Sequence, residues 1–388
     1  MGISLGLVGL GSFGSAFAEL FNSHPLVDRI ALCDREPERI ERFACRESFQ
    51  AKFRPSDAYD SLDAICRSDL DALAIITQPW LHAPQAILAM EAGKHVYSAV
   101  PIVSLPDSDE ILEWCDRIVG ACRRTGQRYM LGETTFYRPI AMYCRRQAAA
   151  GAFGRFVYAE GEYFHDVDDP GCNLRDVRRS RTASASGQEW LAVEKRYAER
   201  GIVNGPMHYP THSTSGPMCV MNARAVKVCA WPQRDETGDA YFAHSFANET
   251  AFFQMSNGAT MRICEYRQIG HGGQETFRIF GTEGSFKDNQ WITKAGRRAL
   301  TVDAMRDRLP PDVADAFRAT SGESFYGGHG GSHAYLVHEF VDAIAHDRQP
   351  AINAWEAVRY MAAGAAAHKS ALRDGEILDV PDWGDAPA

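Results

Sequence analysis

The sequence predicts an α/β protein in two parts: a doubly wound parallel sheet at the N-terminus, then an α+β domain built on a large, mostly antiparallel sheet. Three observations predict it. An apolar run over 3–8 opens onto three closely spaced glycines and an amphipathic stretch, strand-like and helix-like segments then alternate as far as residue 132, and long extended runs take over beyond that. At 388 residues the chain exceeds the roughly 250–300 residues that one core usually serves, so two domains are expected, 1–133 and 134–388.

Residues 3–8 read as the first strand. Gly9, Gly11 and Gly14 follow at G-x-G-x-x-G spacing, before a helix that carries Ala16, Phe17, Leu20 and Phe21 and stops at Pro25. Gly9 suits a tight turn, Gly11 lets the backbone approach a pyrophosphate, and Gly14 lets the helix lie close on the sheet. The free N–H groups and dipole of the helix start favour phosphate. A lone motif of this kind is weak, but the second strand, over 29–33, ends in Asp34, where a carboxylate meets an adenosine ribose. The first domain is therefore expected to be a dinucleotide-binding Rossmann domain. Asp34 should accept from both ribose hydroxyls and repel a 2′-phosphate, which favours NAD over NADP. Arg35 weakens that preference without reversing it.

A helix over 36–45, a short extended piece near 49–53, a helix over 61–66 and a strand over 72–76 come next, the strand ending in Thr77-Gln78-Pro79. A helix over 84–91 stops at Gly93, a strand follows over 95–98, and a helix over 109–124 is closed by Gly126 before the strand 129–132. Glu133 then stands at the C-terminal end of the last strand, the edge where open α/β sheets hold ligands, placed to bind a hydroxyl or the nicotinamide ribose. In the second domain a helix over 140–149 leads to a long strand, 156–165, on which Tyr163 and His165 share a face. The polar stretch 166–187 reads as a long loop. Strands 250–255 and 260–266 flank Asn257-Gly258, a type I′ hairpin signal, and 277–280, 285–287 and 291–293 continue the sheet. Helices over 333–346 and 355–372 cover it, the second able to pack back on the first domain.

Composition narrows the function classes. The formal charge is -9 and the densest basic cluster is Arg178-Arg179-Ser180-Arg181, so no nucleic-acid footprint is present. Ten cysteines without a C-x-x-C read as thiols in a reducing compartment. With no leader-like start and no apolar run of 18 residues, a cytoplasmic protein with no membrane partner is expected.

The segment 204–215, NGPMHYPTHSTS, holds the clearest chemistry. His208 and His212 at i, i+4 are expected on one helix face. Such a pair binds a metal, caps turns or moves protons. No third ligand lies near in sequence, so no metal is expected and acid–base work is favoured, a histidine taking a hydroxyl proton as a hydride leaves the same carbon. Tyr163 and His165 either supply a proton path or pack under the following loop. The glycine-rich run 326–333 either closes over a site or is a linker, with His329 its candidate. Lys195 and Arg196 bind an anionic group or form a solvated face, and Trp80 flanks the nicotinamide or packs at the domain junction.

Several stretches carry a resemblance: the glycine loop with Asp34; Ile75-Ile76-Thr77-Gln78-Pro79 with His82; Ala92-Gly93-Lys94-His95-Val96-Tyr97; and Phe280-Gly281-Thr282-Glu283-Gly284-Ser285. With these the chain resembles the glucose-fructose oxidoreductase, inositol dehydrogenase and MocA (Gfo/Idh/MocA) family of NAD(P)-dependent enzymes. The resemblance implies a Rossmann domain followed by an open-faced sheet, a carbohydrate-like substrate and a homo-oligomer, dimer or tetramer. It implies NAD held by Gly9, Leu10, Gly11, Ser12, Phe13, Gly14, Asp34, Arg35, Thr77, Gln78, Pro79, Trp80, His82, Ala99, Val100 and Pro101. Two departures stand out. Where the family has Glu-Lys-Pro, with a lysine on both nicotinamide ribose and substrate hydroxyl, this chain has Ala99-Val100-Pro101. Where the family has D-x-G-x-H, it has His208-Tyr209-Pro210-Thr211-His212. The candidate catalytic groups are then His212, His208 and Tyr163, and the candidate substrate contacts Glu133, His165, Lys195, Arg196 and His329. The expected activity is NAD-dependent oxidation of a sugar or sugar derivative. The alternative is a glycoside hydrolase or lyase that uses NAD transiently, through oxidation, elimination and re-reduction. A third reading is an inactive relative that binds NAD as a sensor.

Overall fold

The computed structural model describes residues 2–387. Strands β1 (Ile3–Val8), β2 (Val27–Cys33), β3 (Ala58–Tyr59), β4 (Ala72–Ile75), β5 (His95–Ser98) and β6 (Tyr129–Leu131) form a parallel sheet in the order 3-2-1-4-5-6. Every residue of β4 and β6 is buried, as parallel strands covered by helices on both faces require. Helix Ser108–Thr125 shows how local signals set the boundaries. The Asp107 carboxylate accepts from the backbone N–H groups of Asp109 and Glu110, and Gly126 closes the helix at φ +71°.

A second sheet contains β7 (Phe156–His165), β8 (Ala225–Gln233), β9 (Asn248–Met255), β10 (Thr260–Tyr266), β11 (Gly273–Gly281), β12 (Gly284–Lys287), β13 (Gln290–Thr293), β14 (Gly296–Ala299) and β15 (Leu378–Asp379). Its order is 14-13-12-11-7-10-9-8-15, antiparallel except where β7 meets β10. One face, with Ala159, Ile263 and Phe277, packs on helix Thr211–Met221. The approach is closest at Gly161, where a Cβ would overlap the Ser213 carbonyl oxygen. The opposite face leaves Trp231 and Phe252 about half exposed around a cluster of Glu160, Glu162, Arg262 and Arg278. Helix Ala354–Ala371, alanine-rich and mostly buried, packs on both Ser108–Thr125 and β8, so it ties the two sheets together as the sequence allowed.

Three expectations are corrected. The piece near 49–53 is not extended: Glu47–Gln50 is a helical turn that drives Phe49 against Phe43, and the strand at this point is the two-residue β3. The stretch 166–187 is not one long loop, because helix Leu174–Ala183 runs through it and helix Ala185–Glu199 begins in it. No residue of the first and only Gly187 and Tyr197 of the second are buried, so no apolar stripe announces them. Their caps do: Asn173 accepts from the N–H groups of Arg175 and Asp176, and Ser184 from that of Gly187. The β9–β10 connection is not type I′ either, since only Gly258 has positive φ, +84°. Met255 receives the Gly258 N–H and donates its own to Ala259, a three-residue loop with glycine at the left-handed position.

Gly161→Ala is expected to lower stability by about 1–3 kcal/mol, because sheet and helix backbones must part to admit the methyl group. Chemical denaturation of the two proteins measures it.

Candidate active site

The glycine loop fits a dinucleotide. Gly9 sits at φ +92°, and a Cβ there would press on the Ile76 carbonyl, while one on Gly14 would overlap the Gly9 carbonyl oxygen. At Gly11 a Cβ would meet nothing nearer than Arg39 at 3.9 Å, so the backbone lies open there. Helix Ser12–Ser23 begins at that point without a side-chain cap, and its first N–H groups face the opening. Phe13 turns the other way and packs edge-on against His329, ring centroids 5.8 Å apart.

Asp34 is buried at the end of β2. One carboxylate oxygen accepts the Leu10 N–H at 2.7 Å, the other the Glu36 N–H at 3.0 Å, and lone pairs remain on both for ribose hydroxyls. Arg35 does not join it; it is largely exposed and reaches Glu189 at 3.1 Å. The cation beside Asp34 is Arg39, at 3.6 Å.

Between the glycine loop and the second domain, Thr77 and Gln78 engage Gln85 and Ser184. His82 holds two chain segments, with Nδ1 at 2.8 Å from the Pro101 carbonyl and Nε2 at 3.2 Å from that of Thr77. Burial presses its pKa down to about 4, and the neutral ring, with one N–H, donates to only one of the two carbonyls. Pro79 precedes Trp80, which stacks on Trp190 at 5.0 Å. Ala99 and Val100 are buried, and the Val100 carbonyl accepts the Tyr209 hydroxyl at 3.2 Å.

The centre of the site is Glu133, just past β6, and His212, at the start of helix Thr211–Met221. His212 Nδ1 lies 2.8 Å from Glu133 Oε1, which also accepts the Thr135 N–H. Both side chains are buried, and Glu133 Oε2 has no hydrogen-bond partner among the described residues. Burial opposes charge on His212, but the Glu133, Glu275 and Glu265 carboxylates and the hydrogen bond outweigh it and hold its pKa up at about 9. Burial likewise opposes charge on Glu133, and the His212 imidazolium overrides it, holding that carboxyl below its ordinary range. With Nδ1 taken, Nε2 is left for a reacting group.

Around this pair stand Tyr163, its ring 4.9 Å from that of His212, and Tyr209 at 5.6 Å. The Tyr163 hydroxyl is 2.7 Å from His165 Nδ1, and His165 Nε2 is 2.9 Å from the Cys172 carbonyl, which can only accept. The neutral ring thus carries its proton on Nε2 and accepts the Tyr163 hydroxyl's hydrogen bond on Nδ1. The His329 ring lies nearly parallel to that of His212 at 6.3 Å, on a loop whose Nδ1 contact to His333 spans 3.0 Å. Burial and the neighbouring His212 charge push the His329 pKa down.

Several expectations do not hold. His208 shares no helix face with His212: it ends the short turn Pro206–His208, and Tyr209, at φ -128°, ψ 56°, breaks the helix before Pro210, which excludes a helical residue ahead of it. Its ring points instead to Ser108 at 2.8 Å and Asn204 at 2.9 Å and rests on His368 at 4.2 Å. Burial and His368 push its pKa far down, so it is a poor proton carrier. Lys195 and Arg196 are exposed on helix Ala185–Glu199, with Lys195 facing Glu199 and lining a cavity with Tyr209 and Arg267.

Other members of the site escaped the sequence. Glu275 pairs with Tyr163 across β11 and β7, receives the Thr135 hydroxyl and lies 3.1 Å from Arg138. Glu265 on β10 and Arg267 just past it point inward in phase with Met261 and Ile263, and that break in an apolar face was the available signal. Burial raises the Glu265 pKa to about 7. Glu133, His212 and Glu275 bring three ligand-type atoms within 4.8 Å, but Thr135 and Arg138 already donate to these carboxylates.

Residues 3–133 match the model of an oxidoreductase family with an NAD-binding Rossmann fold, GFO_IDH_MocA. This domain belongs to the Gfo/Idh/MocA family. A glycosyl hydrolase family 109 protein of Bacteroides fragilis is 31% identical over 171 residues, 43% of this chain and 36% of that protein, so the match spans about a third of that relative's length. One of Stenotrophomonas maltophilia is 24% identical over 98% of this chain and 89% of its own. Among solved structures, a levoglucosan dehydrogenase in complex with NADH superposes with a TM-score of 0.73 at 19% identity over 98% of this chain and 100% of that one. The whole chain thus shares the two-sheet fold of that dehydrogenase.

Asp34→Ala is expected to weaken NAD by about 1.5–3 kcal/mol and to narrow its advantage over NADP, read as paired dissociation constants. Glu133→Gln is expected to lower the ionisation of His212 from about 9, since burial is then opposed only by Glu275 and Glu265. A pH titration of the His212 ring by NMR follows it. The sign for stability is fixed too: His212 has a raised folded-state pKa, so its contribution is complete below pH ~6.5 and lost as pH rises through about 9 in the parent protein only.

Proposed function

We propose that the chain is an NAD-dependent enzyme that oxidises a carbinol of a sugar or sugar derivative, with His212 as proton acceptor. The buried His212–Glu133 pair, at the C-terminal edge of a sheet that carries an NAD-type glycine loop, supports this reading most directly. Bound NAD supplies the hydride acceptor, and the chain's residues manage the proton and the orientation. The glycine loop and the Ser12–Ser23 helix start would hold the pyrophosphate and Asp34 the adenosine ribose. The neutral form of His212, whose share grows as pH rises towards about 9, takes the hydroxyl proton on Nε2, and Glu133 stabilises the imidazolium so formed. Tyr209 and Tyr163 orient hydroxyls beside it. His329, kept neutral, closes the side nearest the glycine loop. With Val100 at the position of the family lysine, proton handling falls to the second domain.

The names of the Bacteroides and Stenotrophomonas relatives favour a second reading, glycoside cleavage through transient oxidation. So does the Tyr163–His165 path, since elimination needs a second proton-transfer group beyond His212. The two readings part in one assay. Stoichiometric NADH appears from a free sugar under the first, whereas aglycone release that requires only catalytic NAD belongs to the second.

The domain boundary is placed after Glu133. A cytoplasmic location accords with ten unpaired cysteines, and no helix among the described residues is long and apolar enough to cross a membrane. A dimer or tetramer accords with the half-exposed Trp231 and Phe252 on the outer face of the large sheet.

His212→Ala is expected to lower kcat by about 10²–10⁴-fold with NAD affinity little changed. Val100→Lys is expected to lower activity further rather than restore it, because a second cation enters a buried pocket beside the His212 imidazolium. Steady-state kinetics with NAD titrations check both; faster hydride transfer in Val100→Lys would contradict the reading.

A further inference from the structure

Helix Leu174–Ala183 buries no residue, yet it carries the densest basic cluster of the chain, and the chemistry at His212 uses none of it. Arg175, Arg178 and Arg181 recur every three residues and share one side of the helix. Arg178 lines a cavity of about 450 Å³, within the range of roughly 300–1,000 Å³ that small-molecule sites occupy. The Arg175 guanidinium lies 5.5 Å from the ring of Tyr241, another wall of that cavity. Arg175, Arg178 and Arg179 each meet a carboxylate, whereas Arg181 meets none among the described residues.

The charge of the lining is unbalanced. Three cations, Arg178, Lys195 and Arg267, face a single carboxylate, Glu194. Arg178 and Glu194 do pair, at 2.7 Å. Lys195 reaches Glu199 only at 3.8 Å, between two exposed side chains, a contact worth little in water. Arg267 donates to Glu265 at 2.7 Å, but burial raises the Glu265 pKa to about 7, so near neutral pH that carboxylate is only partly charged. One Arg267 nitrogen meets the Tyr163 and Tyr266 carbonyls and a second meets Glu265, which leaves N–H groups over. Asn204 is engaged through Oδ1, by the Gly205 N–H and His208, so its amide N–H groups remain to donate as well. Tyr241 senses the same excess. Burial raises its pKa, and the four charges that act on it next all oppose that rise: Arg267, Arg178, Arg181 and Arg175. The cavity wall at Tyr241 therefore already favours negative charge.

We propose that this cavity binds the phosphate of a small phosphomonoester, at a site separate from His212. A phosphomonoester carries about −1.5 to −2 charge near pH 7 and offers three acceptor oxygens, which suits three cations set against one carboxylate. A carboxylate ligand, with one charge, would leave part of that excess unmatched. The assignment stands whichever reaction His212 performs.

Calorimetry on the NAD-saturated protein, with the pyrophosphate site filled, tests it. The probes are glycerol 3-phosphate and glucose 6-phosphate, set against glycerol, glucose and glucuronate. The parent is expected to bind both phosphate esters more tightly than the other three, with an affinity that falls as salt rises. Arg181→Gln, and Arg178→Gln combined with Lys195→Gln, change exposed or half-buried helix positions where folding is little at risk, and circular dichroism checks that it is kept. Each is expected to lose about tenfold or more in affinity for the phosphate esters, the usual worth of a charged hydrogen bond. Arg179→Gln, whose guanidinium pairs with Asp176 instead, and His212→Ala are expected to keep the parent value. A parent that binds neither ester, or binds glucuronate as well as glucose 6-phosphate, would overturn the proposal. So would an equal loss in Arg179→Gln, or a loss in His212→Ala, which would put the phosphate at the catalytic cluster.

Discussion

A buried imidazolium against a buried carboxylate is costly to assemble, and the His212–Glu133 pair is tolerable only because the surrounding fold completes it. The Thr135 N–H and the imidazole both donate to one Glu133 oxygen, and Glu275 and Glu265 add negative potential from β11 and β10. Removing either partner from such a pair costs about 3–5 kcal/mol, because the other is left charged in a dry place. The pair also spans the molecule. Glu133 leaves the last strand of the parallel sheet and His212 begins the helix that lies on the large sheet, so the docking of the two sheets and the protonation of the site are one constraint. Gly161 belongs to it as well, because its missing side chain lets that helix sit low enough to present His212 to Tyr163.

How much was legible in the sequence follows from which signals are local. The parallel sheet was, since each strand is an apolar run closed by a turn residue and each main helix carries an apolar stripe. Asp34, Glu133, His212, Tyr163 and His329 were legible because position along a strand, period-two alternation or a glycine context placed them. His208 was misplaced because an i, i+4 spacing implies a shared face only inside a continuous helix, and Pro210 interrupts this one. Glu275 was invisible because it reaches the site through strand register, opposite Tyr163, more than a hundred residues away in sequence. The helices over 174–199 were missed because they bury almost nothing. Trp190 and Tyr197 dock them by a stack on Trp80 and a hydrogen bond to Glu110, contacts with no period to detect.

Those same helices bear on how a site without the family lysine is organised. They cross from the large sheet to the parallel one, where Glu189 meets Arg35, Ser184 meets Gln78 and Trp190 covers Trp80, so both ends of the cofactor edge are fastened to the second domain. The segment Ala99-Val100-Pro101 is fastened too, by His82 on one side and the Tyr209 hydroxyl on the other. A lysine at position 100 would bring a flexible ammonium into a buried space already facing the charge of His212. Valine keeps that wall apolar. On the large sheet the Tyr163 hydroxyl donates to His165, and His165 donates to the Cys172 carbonyl near the surface. These hydrogen bonds fix the Tyr163 hydroxyl and the tautomer of His165 beside His212.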